Sequence, residues 1–159
     1  MRNKNRDPKD AKKREAAMAF QIELNTTLEV CMMPENSCCD FAMYLKRDGE
    51  KKIIALAEFR NRPNILLSTH PEGICINKEK VDKMRLIASH MDIKQLWFMV
   101  QTMDNKVWMT SLFGKVYSHG LMNRTKPEEK DKEDEIVYYI PEGDFKEPRY
   151  AVNNLHKTA

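Results

Sequence analysis

The 159-residue chain has five glycines, Gly49, Gly73, Gly114, Gly120 and Gly143, all far apart. A phosphate-cradling loop needs glycines clustered before a helix, so their scatter argues against a nucleotide-triphosphate enzyme. The four cysteines, Cys31, Cys38, Cys39 and Cys75, include no C-x-x-C pair and fit no zinc spacing. They read as reduced, partly buried thiols. The four histidines (His70, His90, His119, His156) form no catalytic triad pattern. No apolar run approaches the roughly 20 residues of a membrane helix. Residues 1–14 lack the apolar stretch of a signal peptide. A cytoplasmic protein without membrane contact is expected.

What is present is a globular composition, 42% hydrophobic and 32% charged, with net charge +3. The charge is unevenly spread. Residues 1–14 carry seven basic side chains against Asp7 and Asp10, a basic arm suited to phosphates or simply a solvated terminus. Residues 123–135, NRTKPEEKDKEDE, read as an exposed charged loop, and 61–73, with two prolines and a glycine, as an irregular connection. Neither separates two large apolar blocks. The expected organisation is one domain: a core over 1–122 including the arm, a charged loop at 123–135, and a C-terminal extension at 136–159.

A helix is expected over 8–27, with Ala16, Phe20, Glu23 and Thr27 on one face. Two strands follow at 39–46 and 50–60, joined by a three-residue loop Arg47-Asp48-Gly49. The second is apolar on both faces and belongs inside a sheet. A helix at 78–91 carries Val81, Met84, Ala88 and Met91 as its buried stripe, with Asn77 as N-cap. Residues 95–102 form another fully apolar strand, 106–112 an alternating one, and 136–140 a last one. Short strands near 28–32 or 74–76 add to the sheet. The fold class is α/β (α+β), a mixed central β-sheet flanked by helices. Trp97, Phe98 and Trp108 read as packing residues.

Three residues are charged where their strands should be buried: Asp40, Glu58 and Arg60. With a three-residue loop, paired numbers sum to a constant that sets Asp40 across from Leu56 and Glu58 across from Cys38. Period-two alternation then places Asp40, Glu58 and Arg60 on one face; a two-residue turn would separate the carboxylates. Two close carboxylates suit a hard cation such as Mg²⁺ or Mn²⁺, and an adjacent guanidinium suits a phosphate. That chemistry is metal-assisted phosphodiester hydrolysis. The same spacing also suits a structural carboxylate–arginine pair at a strand end.

Helix, Cys39-Asp40, hairpin, then Ala57-Glu58-Phe59-Arg60 in an apolar strand resembles the PD-(D/E)XK nuclease superfamily, over roughly residues 10–112. GICINKEKVD, then LWFMV and DNKVWMTSL, is similar to small phage and bacterial members. The resemblance implies a restriction-endonuclease-like core and a Mg²⁺- or Mn²⁺-dependent endo- or exodeoxyribonuclease. Asp40 and Glu58 would be metal ligands and Glu23 the third acid. Asp40, Glu58 and Arg60 would be the catalytic set, with DNA, duplex or branched, as partner. Cys39 stands in place of the motif proline and Arg60 in place of the lysine. A guanidinium binds phosphate but cannot serve as a base. Lys78 and Lys80, opening the second helix, are the candidates to supply the missing amine and, with Arg60, to contact DNA. A homodimer in a phage-infected host cytoplasm is implied by analogy. The alternative is a catalytically degenerate nuclease fold acting as a DNA- or protein-binding phage accessory module.

Overall fold

A computed structural model describes residues 28–34, 37–69, 73–123 and 134–147. The expected helix over 8–27, with Glu23 and the basic arm, lies outside the described residues, as does 124–133. Eight strands and one α-helix are described: β1 (Leu28–Met32), β2 (Phe41–Arg47), β3 (Glu50–Asn61), β4 (Ile74–Asn77), α1 (Lys78–Met91), β5 (Gln95–Gln101), β6 (Val107–Ser111), β7 (Ser118–Asn123) and β8 (Asp134–Ile140).

The main sheet runs β1-β2-β3-β5-β6. Its central strands are the two apolar runs. β3 pairs with β5 in parallel, and the other neighbours are antiparallel. A parallel pair needs a crossover, and the segment carrying α1 supplies it. Both faces of the sheet are dry. Phe41, Met43, Ala55, Ala57, Phe59, Trp97, Met99 and Met109 form one buried cluster. On the opposite face Ala42, Leu56, Leu96, Phe98 and Val100 pack with Val81, Met84 and Ala88 of α1. Met91, expected in that stripe, is 52% exposed because the helix ends there, with Asp92 in the left-handed conformation at φ 54°.

The hairpin corrects the expected register. The loop has two residues, with Asp48 at φ 51° and Gly49 at φ 78°, the all-positive geometry of a tight primed turn. Arg47 therefore faces Glu50, not Lys46. Alone, this would put Asp40 and Glu58 on opposite faces of the sheet. A bulge reverses that outcome. Tyr44 faces Ile53 while Met43 faces Ala55, so Ile54 is an extra residue in β3. Beyond it Ala42 faces Leu56 and Phe41 faces Ala57. Asp40 therefore lies level with Glu58 rather than with Leu56, and Glu58 is not opposite Cys38. Turn and bulge each invert the side-chain alternation, and the two inversions cancel.

The expected single sheet is also corrected, since β4, β8 and β7 form a second, three-stranded antiparallel sheet in that order. It is tied to α1 through Tyr138, whose hydroxyl donates to Asp82 Oδ1 at 2.9 Å. Arg85 adds a clamp, donating to Leu112 O (3.1 and 2.8 Å) and Lys115 O (2.6 Å) while lying over Tyr117 and Tyr138. Gly73 permits the entry into β4: its φ is +110°, and a Cβ there would sit 2.4 Å from Ile140 O. This anchoring fixes the first turn of α1 against the end of β3.

Candidate active site

β3 carries Glu58 and Arg60 on the face covered by α1. Asp40, just before β2, approaches from the neighbouring strand. Its Oδ2 accepts a 2.8 Å hydrogen bond from Phe59 N–H, and its own N–H donates to Ala57 O at 3.0 Å. Asp40 is thus tied to β3 both through its backbone N–H and through its carboxylate.

Glu58 is fully buried. Two cations meet its Oε1: Arg60 Nη1, which lies 3.9 Å from Asp40 Oδ2 as well, and Lys80 Nζ at 2.6 Å. Both cations meet Oε1, and Glu58 Oε2 has no hydrogen-bond donor and no ion pair among the described residues. Burial dominates its titration. It raises the Glu58 pKa from the ordinary 4.5 to about 7 against the pull of Arg60; the charge of Asp40 adds to the rise, and Lys80 opposes it.

Lys80 reaches Glu58 because of where α1 starts. Asn77 caps the helix, its Oδ1 accepting from Lys80 N–H at 2.9 Å, and its Nδ2 donates to Glu135 Oε1. Lys78 goes elsewhere. Its ammonium pairs with Asp82 Oδ2 at 2.7 Å and lies over the Tyr138 ring. Two helical residues apart means about 200° of rotation, so only one of the two lysines can face the sheet. The structure therefore gathers Asp40, Glu58, Arg60 and Lys80, and leaves Lys78 on the second-sheet side. An open cleft of about 530 Å³ adjoins them, lined by Ser37, Cys38, Arg60, Asn77, Lys80 and Glu135 among others.

Glu135 was hidden from the sequence by its place in a charged stretch that reads as loop; in fact β8 begins at Asp134. Cys39, beside the acids, is buried, which pushes its thiol pKa well up and makes it an inert packing group. No group of three or more His, Cys, Asp or Glu side chains is gathered as a metal cluster among the described residues.

Comparison with known proteins places this geometry in a family. The chain matches the family model described as "Phage putative PDDEXK endonuclease" over residues 1–147. A nuclease from a fusselovirus superimposes with TM-score 0.52 at 14% identity, covering 94% of this chain and 90% of that one. Hjc from Archaeoglobus fulgidus, a Holliday junction resolvase from an archaeal hyperthermophile, gives TM-score 0.51 at 7% identity, covering 88% of this chain and 96% of that one. At such identities the likeness shows a common fold. No curated protein matches the chain.

Proposed function

The chain belongs to the phage PDDEXK endonuclease family, and from that premise we propose that it hydrolyses DNA phosphodiester bonds with Mg²⁺ or Mn²⁺ held by Asp40 and Glu58. The observation that carries this reading is the pair of carboxylates level on adjacent strands, both largely buried, with a lysine ammonium delivered to the same place from a helix. Glu58 Oε2 has neither a hydrogen-bond donor nor an ion pair among the described residues. Its burial raises the pKa, as expected of an acid whose natural partner is a cation. The donor set is oxygen only, which suits a hard divalent ion completing its shell with waters and phosphate oxygens. Glu23 remains the proposed third acid.

When bound, the ion supplies Lewis-acid activation of water and of the phosphoryl group. The protein's own residues do the rest. The Phe59 N–H orients the Asp40 carboxylate. Burial strips water from Glu58, strengthening every charge interaction there. Lys80 and Arg60 place positive charge where the phosphate gains negative charge in the transition state. The degenerate-fold alternative drew on Arg60 standing where a lysine belongs. Lys80 supplies the amine from α1, which removes that motive. A resolvase among the structural neighbours favours branched as well as duplex DNA as substrate, and a homodimer would provide one site per strand.

Calorimetric titration of the full chain with Mn²⁺ tests the metal assignment. Glu58 must be deprotonated to bind, so affinity rises with pH up to about 7 and levels off above it, with proton release on the acid side. Asp40→Asn weakens binding at least about tenfold. Absence of binding heat at pH 7.5 across several temperatures contradicts the assignment.

A further inference from the structure

The row of alternate residues in β3 does not stop at Arg60. Arg62 follows Asn61, and its N–H donates to Gln101 O at 2.8 Å, so the parallel ladder with β5 extends to it. Period two puts Arg62 on the face of Glu58 and Arg60. Its surroundings differ from those of every other cation at the site. Arg60 and Lys80 are both engaged with Glu58. The Arg62 guanidinium is partly buried, yet it makes no ion pair and no side-chain hydrogen bond among the described residues. Burial, and then the like charge of Arg60, act against its protonated form, while Cys75 and Glu135 at longer range support it. Five fixed N–H donors near the charge of a second guanidinium, with water as their only acceptor besides groups outside the described residues, are ready to take an anion in its place.

We propose that Arg62 binds a backbone phosphate of the DNA next along the strand from the one that is cleaved. This rests on the nuclease reading. The separation from Glu58 is four residues of strand, about 13 Å of backbone, too far for the reacting phosphate at the carboxylates. Arg62 is therefore a binding residue, whereas Arg60 and Lys80 serve the reacting group. A planar fork is suited to two phosphate oxygens at once, and such contacts set register on the nucleic acid without reading its sequence.

The test uses full-length Glu58→Gln protein as the parent, a variant expected not to cut, so that the freed Arg60 and Lys80 are common to parent and double variants and differences report Arg62. Its binding to fluorescent duplex and four-way-junction DNA is measured by anisotropy from low to high salt. Adding Arg62→Ala weakens binding about tenfold on every sequence and reduces the slope of log affinity against log salt by about one phosphate contact. Arg62→Lys keeps the slope, because the charge stays, but loses part of the affinity, because the fork is gone. A merely structural role would not separate these two variants by slope. Unchanged affinity and slope in Arg62→Ala, in a parent that binds DNA, overturns this inference alone. Absence of DNA binding by the parent overturns it together with the nuclease reading.

Discussion

Replacing Glu58 by glutamine abolishes cleavage and at the same time makes the metal-free protein more stable above neutral pH. Both effects come from one buried carboxylate. The first is the loss of the proposed metal ligand and lowers turnover by roughly a thousandfold or more. The second follows from linkage. The folded-state pKa of Glu58, about 7, lies above its ordinary 4.5. Between those values the native state holds a proton that the unfolded chain has released. Stability from this group is therefore full below about pH 4.5 and is lost as pH rises through 7. The loss amounts to about 3 kcal/mol at pH 8, in the absence of metal. Glutamine imitates the protonated acid and carries no such loss. Thermal unfolding in EDTA should then show Glu58→Gln several degrees above wild type at pH 8 and level with it at pH 5. Equal or lower stability at pH 8 would mean that Arg60 and Lys80 already compensate the charge.

Lys80→Met is the second large effect, expected at about a hundred- to a thousandfold in kcat with little change in KM. Lys80 Nζ sits 2.6 Å from Glu58 Oε1, which puts it, in the proposed mechanism, at the reacting centre. Its removal has a further signature. Lys80 lowers the Glu58 pKa, so without it that pKa climbs and the acid limb of metal binding moves to higher pH. Lys80→Arg keeps the charge and recovers most of the lost rate, within about tenfold of wild type. Lys78→Met serves as the contrast, because its partner is Asp82 and not the acids. A loss in Lys78→Met equal to that in Lys80→Met would show that the variants act through the integrity of α1.

The parts of this site differ in how far the residues announce them. β3 and β5 were legible because strands covered on both faces must be apolar throughout, and a charge in such a run stands out. Glu58 was conspicuous for that reason, and Asp40 through its place before the neighbouring strand. Their common face was also expected, but by a different geometry. The three-residue loop implied by Gly49 is a two-residue turn, and the parity it would have upset is restored by the bulge at Ile54. Nothing in Ile53-Ile54 marks a bulge, since both residues favour regular strand. The lysine proposed for the site was narrowed to Lys78 or Lys80 by the start of α1, and it is Lys80 that meets Glu58. The choice between them is rotational and depends on how the helix docks. The second sheet was illegible because β7, SHGLMN, has no clear alternation, and β8 opens on Asp134-Glu135 inside a charged run. Arg62 had a signal in the sequence, the period-two series Glu58, Arg60, Arg62, but its lack of an ion pair among the described residues is a tertiary fact.

Metal-dependent hydrolysis at Asp40 and Glu58 is tested most directly by a cleavage assay on linear duplex, nicked, four-way-junction and single-stranded DNA. It is run with Mg²⁺, Mn²⁺ or EDTA beside Glu58→Gln and Asp40→Asn. Duplex or branched DNA is cut with either metal, not in EDTA, and by neither variant. Cutting that persists in EDTA or in Glu58→Gln, or a folded wild-type protein that binds Mn²⁺ and DNA but cuts no substrate, would contradict that chemistry.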